Sequence, residues 1–358
     1  MVKEVDLRSD TVTKPTAAMR RAMAEAIVGD DVHREDPTVI ELERHIADLL
    51  GKEDALFVPS GTMGNLSSVM SHCWTRGLEV MLGDQSHIFI YEQGGVSQLG
   101  GVHVSALATR ADGTFDMEEL ANKIRPPNPR CHEPYTGLIC LENTHNRCGG
   151  RVLPLSFIEQ VCSFAHRQGV PVHMDGARIV NASVHSGVAV KEIVKNCDSV
   201  SMCLSKGIGA PVGSVVAGTS EFIGRVMRCR KVLGGGMRQA GVLAAAGLVA
   251  LDTARERIQV DHIRAKRLAQ DIQNLSSELI VVNPEVVESN MILLNFPSPH
   301  LTSQQFADRM ALVKENDTEK AVVKVAPWFG NRVRCVLHSD LTEDDVYIAF
   351  REIRSIAM

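Results

Sequence analysis

The chain has 358 residues, enough for one large and one smaller domain. Hydrophobic residues make up 44% and charged residues 23%, the balance of a globular protein with a sizeable core; aromatics are only 4%, so Val, Leu, Ile, Ala and Met must fill it. A net charge of −5 with no run of Lys or Arg excludes a nucleic-acid footprint, and no apolar stretch approaches the roughly 20 residues a membrane helix needs.

The opening MVKEVDLRSDT has no apolar core and is not rich in Arg and Ser. It reads as mature protein and leads us to expect an intracellular, cytoplasmic location; a mitochondrial one follows if a presequence precedes it. The cysteines are Cys73, Cys131, Cys140, Cys148, Cys162, Cys197, Cys203, Cys229 and Cys335. No two have C-x-x-C spacing, and several sit in apolar runs. Reduced, mostly buried thiols are expected, not a disulfide framework or a metal site.

Asp36-Pro37 opens the first convincing helix. Asp36 can cap it, Pro37 suits its first position, and Gly51 can end it. Short apolar strands and helices then alternate. Strands are expected over 55–60, 78–84, 137–143, 170–178, 198–207 and 213–218, with helices over 61–74 and 156–169. A long, almost wholly apolar helix over 237–254 should be deeply packed. This rhythm predicts a mostly parallel sheet covered on both faces. PPNPR (126–130) reads as a surface loop. After residue 254 the rhythm changes. A basic helix over 255–275 precedes strands LIVVN, MILLNF, AVVKVA and RVRCVLH and helices near 302–314 and 342–355. The division expected is a large domain over 1–254 and a small α+β domain over 255–358. The first 30 residues should touch the small domain or a neighbouring subunit.

Ligands of open α/β sheets sit beyond the carboxyl ends of the strands. Ser60, Gly61 and Thr62 follow a strand and open a helix, where free backbone N–H groups attract phosphate; a merely capped helix gives the same pattern. Lys206 ends an apolar strand among glycines. It is either a solvated lysine or an amine placed to form a Schiff base with a carbonyl cofactor. Asp175 ends the strand VPVHMD, where a carboxylate can keep a pyridinium nitrogen protonated, and Arg178 follows three residues on. His87 could stack on an aromatic ring or sit satisfied in the core. His145, in a loop after a strand, is the better placed imidazole for acid–base work. Dinucleotide, P-loop, HExxH and GxSxG patterns are all missing.

Taken together, LRSDTVTKPT (7–16), PSGTMGNL (59–66), LGDQSHI (82–88), LENTHNRCGG (141–150), HMDGARI (173–179), CLSKGIGAPVGS (203–214) and LGGGMRQAG (233–241) resemble the threonine aldolases. The resemblance implies a fold type I pyridoxal-phosphate enzyme: a transferase-like α/β large domain with a mostly parallel central sheet, plus a smaller C-terminal α+β domain. It implies a carbon–carbon lyase that splits L-threonine or L-allo-threonine into glycine and acetaldehyde. The roles it implies are specific. Lys206 would hold the cofactor, Asp175 would pair with its ring nitrogen, and Arg178 would lie on its ring-hydroxyl side and near the substrate. Ser60, Gly61, Thr62 and Ser205 would surround it, and His87 would stack over it. Ser9 and Arg334 would grip the substrate carboxylate, with Arg332 the competing choice. His145 would sit at the substrate hydroxyl as base, with an activated water as rival. No metal is implied. The family is typically dimeric or tetrameric, and Arg238 would serve a neighbour's site. A β-eliminating lyase of the same fold and a silent cofactor-binding scaffold are the alternatives.

Overall fold

Asp36 and Gly51 bound the first long helix as their residue types require. The Asp36 carboxylate accepts from the N–H groups of Thr38 and Val39, Pro37 occupies the first turn, and Gly51 takes a left-handed conformation (φ 62°) after Leu50. The computed structural model describes residues 2–127, 132–313 and 320–358. Cys131, residues 128–130 of the proline-rich loop and residue 314 of the expected 302–314 helix lie outside the described residues.

Seven strands form the central sheet, in the spatial order Asp54–Val58, Ser214–Gly218, Ser199–Cys203, Val172–Asp175, Tyr135–Glu142, Leu78–Gly83, His103–Leu107. All neighbours pair in parallel except Ser214–Gly218, which runs antiparallel to both its neighbours. The central strands are buried along their whole length, which is why they read as unbroken apolar runs rather than alternating ones. His103–Leu107 was not among the expected strands. It lies at the sheet edge, pairs with one neighbour and is only partly buried, so its sequence carries little apolar signal.

A second core gathers Val5 and Leu7 with residues from Ala265 to Ala357. Lys3–Asp6 pairs in parallel with Ala321–Lys324, and Met291–Asn295, Arg332–Val336 and Ala326–Trp328 form an antiparallel sheet. The helix Ala254–Asn274 belongs to both cores: Ala254 and Ile258 pack with the large sheet, and Ala265, Leu268 and Ile272 with the small one. Two expectations need correcting here. LIVVN (279–283) forms no strand, only a single bridge from Val281 to Asn295. AVVKVA is split into two strands that join different sheets, parting at Val325.

The apolar helix expected over 237–254 runs from Gly241 to Asp252 and is less deeply packed than its composition implies. Its small residues, Ala244, Ala245, Ala246, Gly247 and Ala250, are buried, and the helix packs against its neighbouring helices. Leu243, Leu248 and Val249 are only half-buried, and Val242 is 38% exposed. A helix apolar all round fixes no single buried face; here close approach selected the alanine and glycine side.

No helix among the described residues is long and apolar enough to cross a membrane. The described cysteines are all free, seven of them buried.

Candidate active site

The loops beyond the carboxyl ends of four strands open onto one cavity of about 330 Å³. Ser60, Gly61 and Thr62 line it after Asp54–Val58, and His87 after Leu78–Gly83. Asp175 enters from the tip of Val172–Asp175, and Ser205 and Lys206 follow Ser199–Cys203. The strand-end reading thus brings seven of the expected residues together.

Ser60 caps the helix Gly61–His72 by accepting from the Met63 N–H at 3.2 Å. The amides of Gly61 and Thr62 find no acceptor among the described residues, so the helix presents two free N–H groups to the cavity. Gly61 is there because a Cβ would stand 2.7 Å from Cys203 Sγ. Lys206 is held by its own loop. Its carbonyl accepts from Gly209 N–H at 2.7 Å, and Gly209 takes a φ of 85° that favours glycine. The Lys206 ammonium makes no hydrogen bond or ion pair with any described residue.

Asp175 is 3% exposed and well anchored. Its Oδ1 accepts from the Ala177 N–H at 3.1 Å and its Oδ2 from Asn65 Nδ2 at 2.9 Å. Asn65 has a wider task. Its other amide hydrogen goes to Glu92 Oε1 at 2.8 Å, and its carbonyl accepts from Ser201 Oγ at 2.6 Å. Glu92 Oε1 also meets His87 Nδ1 at 2.8 Å. One amide therefore bridges the carboxylate beneath the cavity and the carboxylate that orients the imidazole. Burial pushes Glu92 up, opposed by the bonds from His87 and Asn65. Burial pushes the His87 imidazole down, but Glu92 and Asp175 outweigh it, and its pKa ends above the ordinary value. His87, Glu92 and Asp175 lie within 4.8 Å of one another, a distance that this hydrogen-bonded chain accounts for.

Glu142 ties together the two loops that carry imidazoles. Its carboxylate accepts from the His87 N–H at 2.6 Å and from the Asn146 N–H at 2.8 Å. His145 itself is 2% exposed, with Nδ1 unpartnered among the described residues, and it packs against Gly113. It does not line the cavity.

Five further candidate residues also stand outside the cavity wall. Arg178 is buried and holds Asp10 with two nitrogens, Nε at 2.7 Å and Nη2 at 2.6 Å. Its Nη1 bonds to no described residue. Burial pushes Asp10 up, but the Arg178 charge and hydrogen bonds, helped by Lys206 and Asn290, bring it down to about 2. Ser9 caps the short turn that presents Thr11 to the cavity. Arg334 donates to Asn146 Oδ1 at 2.7 Å and to the Arg8 carbonyl at 2.9 Å, bridging the neighbours of His145 and Ser9. Burial, with the charge of Arg178, lowers it to about 10. Arg332 instead lies over Phe329. Arg238 is on the surface, 56% exposed at its side chain, and pairs with Asp30 at 2.9 Å.

Sequence reasoning missed Asn65, Glu92, Glu142 and Asp10 as site residues. Asn65, Asp10 and Glu142 sat within quoted motifs, Glu142 at the end of a strand, and an Asn on the inner side of the helix that opens at Gly61 was a usable signal. Nothing local marked Glu92.

The residues present fit pyridoxal phosphate. An uncommitted amine, an anchored carboxylate and two free helix-start amides share one cavity of suitable size. A mostly parallel sheet bearing this set at its strand ends defines the class: a fold type I pyridoxal-phosphate enzyme, with pyridoxal 5'-phosphate as its cofactor. The model of the beta-eliminating lyase family matches residues 6–296. A probable low-specificity L-threonine aldolase of Arabidopsis thaliana is 50% identical over 96% of this chain and 95% of its own length. The low specificity L-threonine aldolase of Escherichia coli strain K12 is 45% identical over 77% of this chain and 81% of its own. Among solved structures, a threonine aldolase of Leishmania major superposes with a TM-score of 0.81 at 16% identity, covering 99% of each chain. The chain belongs to the beta-eliminating lyase family and, within it, to the threonine aldolases.

Proposed function

We propose that this lyase cleaves L-threonine and L-allo-threonine between Cα and Cβ, giving glycine and acetaldehyde, and accepts related β-hydroxy-α-amino acids. The observation that carries the reading is the uncommitted Lys206 amine in the same cavity as the anchored Asp175 carboxylate. Pyridoxal phosphate, when bound, supplies the electron sink for the bond that breaks. Lys206 would hold it covalently, Asp175 would face its ring nitrogen, and Ser60, Gly61, Thr62 and Ser205 would hold its phosphate. His87 would cover the ring, its orientation fixed by Glu92. Asn65 keeps the two carboxylates apart yet connected. The free Nη1 of Arg178 is the group left to reach the ring hydroxyl or the substrate. Arg334 and Ser9 would receive the substrate carboxylate. His145 would take the hydroxyl proton, directly or through water.

Incubation of the purified holoenzyme with each threonine isomer is expected to release glycine and acetaldehyde in equal amounts. Ammonia and a keto acid in their place would reassign the chain to β-elimination, and cofactor binding without any product would make it a scaffold. His145→Phe is expected to slow turnover by on the order of 10²–10⁴-fold while leaving the visible absorbance of bound cofactor unchanged. Near-normal turnover would remove His145 from the mechanism.

We place the protein in a homodimer or tetramer. Ile27 and Val232, each 75% exposed, and Val242 lie on or beside the segments that carry Asp30 and Arg238, leaving apolar surface a second copy would cover. Arg238 would then reach the neighbour's cavity. The free thiols favour a reducing compartment, the cytoplasm first.

A further inference from the structure

Two arginines close to the imidazole-bearing loops have no acidic partner among the described residues. The guanidinium carbons of Arg147 and Arg332 lie 3.6 and 4.1 Å from the centroid of the same ring, Phe329. Arg147 donates to the Tyr91 hydroxyl at 3.1 Å and Arg332 to the Phe329 carbonyl at 3.1 Å. Neither forms an ion pair with a described carboxylate, and Arg147 Nε is buried without an acceptor. Burial depresses the Arg332 guanidinium, and the charge of Arg147 pushes the same way. Both face a cavity of about 460 Å³ whose wall also holds Gln85, Thr109 and Arg110. Among the described residues, Arg110 alone of these three cations has a carboxylate partner, Asp116.

Guanidinium groups stay charged at all physiological pH values, so the mutual repulsion of Arg147 and Arg332 is not relieved by losing a proton. Stacking on Phe329 fixes their planes and offsets part of the cost through attraction to the ring face. It leaves their N–H edges available. Planar N–H edges on rigid stems match the oxygens of a phosphoryl group, and Gln85 and Thr109 add neutral polar groups to the same wall.

We propose that this pocket binds phosphate or the phosphoryl group of a small monoester through Arg147 and Arg332, outside the cofactor cavity. No residue is shared between the walls of the two cavities. The pocket nevertheless borrows the catalytic loops. Gln85 stands two residues before His87 and Arg147 two after His145, and Gly113, on the Thr109–Arg110 loop, would place a Cβ 2.8 Å from that of His145.

The test is calorimetric titration of the holoenzyme at fixed ionic strength, with glycine saturating the substrate site. Inorganic phosphate and glycerol phosphate are titrated separately. Saturable binding of at least one is expected, and preference between them identifies free phosphate or a monoester as the better occupant. Arg332→Ala and Arg147→Ala are each expected to weaken it at least about tenfold, the loss of charge-assisted hydrogen bonds. Arg332→Gln and Arg147→Gln serve the same purpose where an alanine variant does not fold. No saturable heat with either anion overturns the proposal. So does undiminished affinity in the folded variants, or binding that glycine displaces. Binding is read without any turnover, so an enzyme that failed the threonine assay would still show whether this pocket takes up the anion.

Discussion

Lys206→Ala is expected to abolish the borohydride-sensitive visible band of the bound cofactor and to reduce turnover by on the order of 10³-fold or more. Among the described residues, no group competes for the Lys206 ammonium, and its loop holds it at the cavity wall. The fixing contacts are backbone ones. Leu204 N–H donates to the Gly213 carbonyl at 3.0 Å, Gly209 N–H to the Lys206 carbonyl, and Ala210 N–H to the Leu204 carbonyl at 3.0 Å. Truncating the side chain breaks none of these, so the thermal midpoint of the cofactor-free protein should change little. Loss of activity with loss of folding would point to a structural role instead. A variant in which borohydride still fixes cofactor to the same peptide would refute the assignment.

The second large effect concerns Asp10. Asp10 is fully buried and Arg178 is 5% exposed, and the pair is joined by two hydrogen bonds with an additional donor in Asn290 at 3.3 Å. Removing one member of such a pair leaves an uncompensated buried charge, which costs about 3–5 kcal/mol. Asp10→Ala is therefore expected to lower the urea midpoint by that equivalent. It should also weaken cofactor binding, because the Arg178 guanidinium loses the partner that fixes the direction of its Nη1. Asp10→Leu combined with Arg178→Met should recover much of the stability and none of the activity. A single variant with an unchanged midpoint would show that the pair contributes nothing to folding.

The same pair sets a pH signature. The folded-state pKa of Asp10, about 2, lies below its ordinary value of 3.8. The unfolded chain therefore binds the proton more readily, and stability from this group is present above about pH 4 and lost as pH falls toward 2. Acid unfolding of the parent protein should be steeper in this window than that of the double variant, as read by circular dichroism.

Much of the site's outline was legible in the chain. Ligand chemistry concentrates where a parallel strand ends, and the apolar runs around SVSMC and VHMD mark those ends, although the strands stop at Asp175 and Cys203, three and four residues short of the expected 178 and 207. Ser60, Gly61, Thr62, His87, Asp175, Ser205 and Lys206 followed from that rule, and the cavity collects them. The interior network did not follow. Asn65 is separated from Asp175 by 110 positions and from Ser201 by 136, and Asp10 from Arg178 by 168. Periodicity reports which residues are buried and is silent on which buried polar group will meet which.

By itself the sequence determined the kind of sheet, the helix caps at Asp36 and Gly51, and the placement of Asp175 and Lys206 at or just beyond strand ends. These depend on local pattern and residue type. Only the tertiary structure decided that Ser214–Gly218 runs against its neighbours, that residues 279–283 make no strand, and that Arg178 spends two of its nitrogens on Asp10. It also decided that Asn65 joins Asp175 to Glu92. Strand direction and hydrogen-bond partners are set by which surfaces meet after the chain has closed on itself, and the free energy of those meetings is not encoded within any single segment.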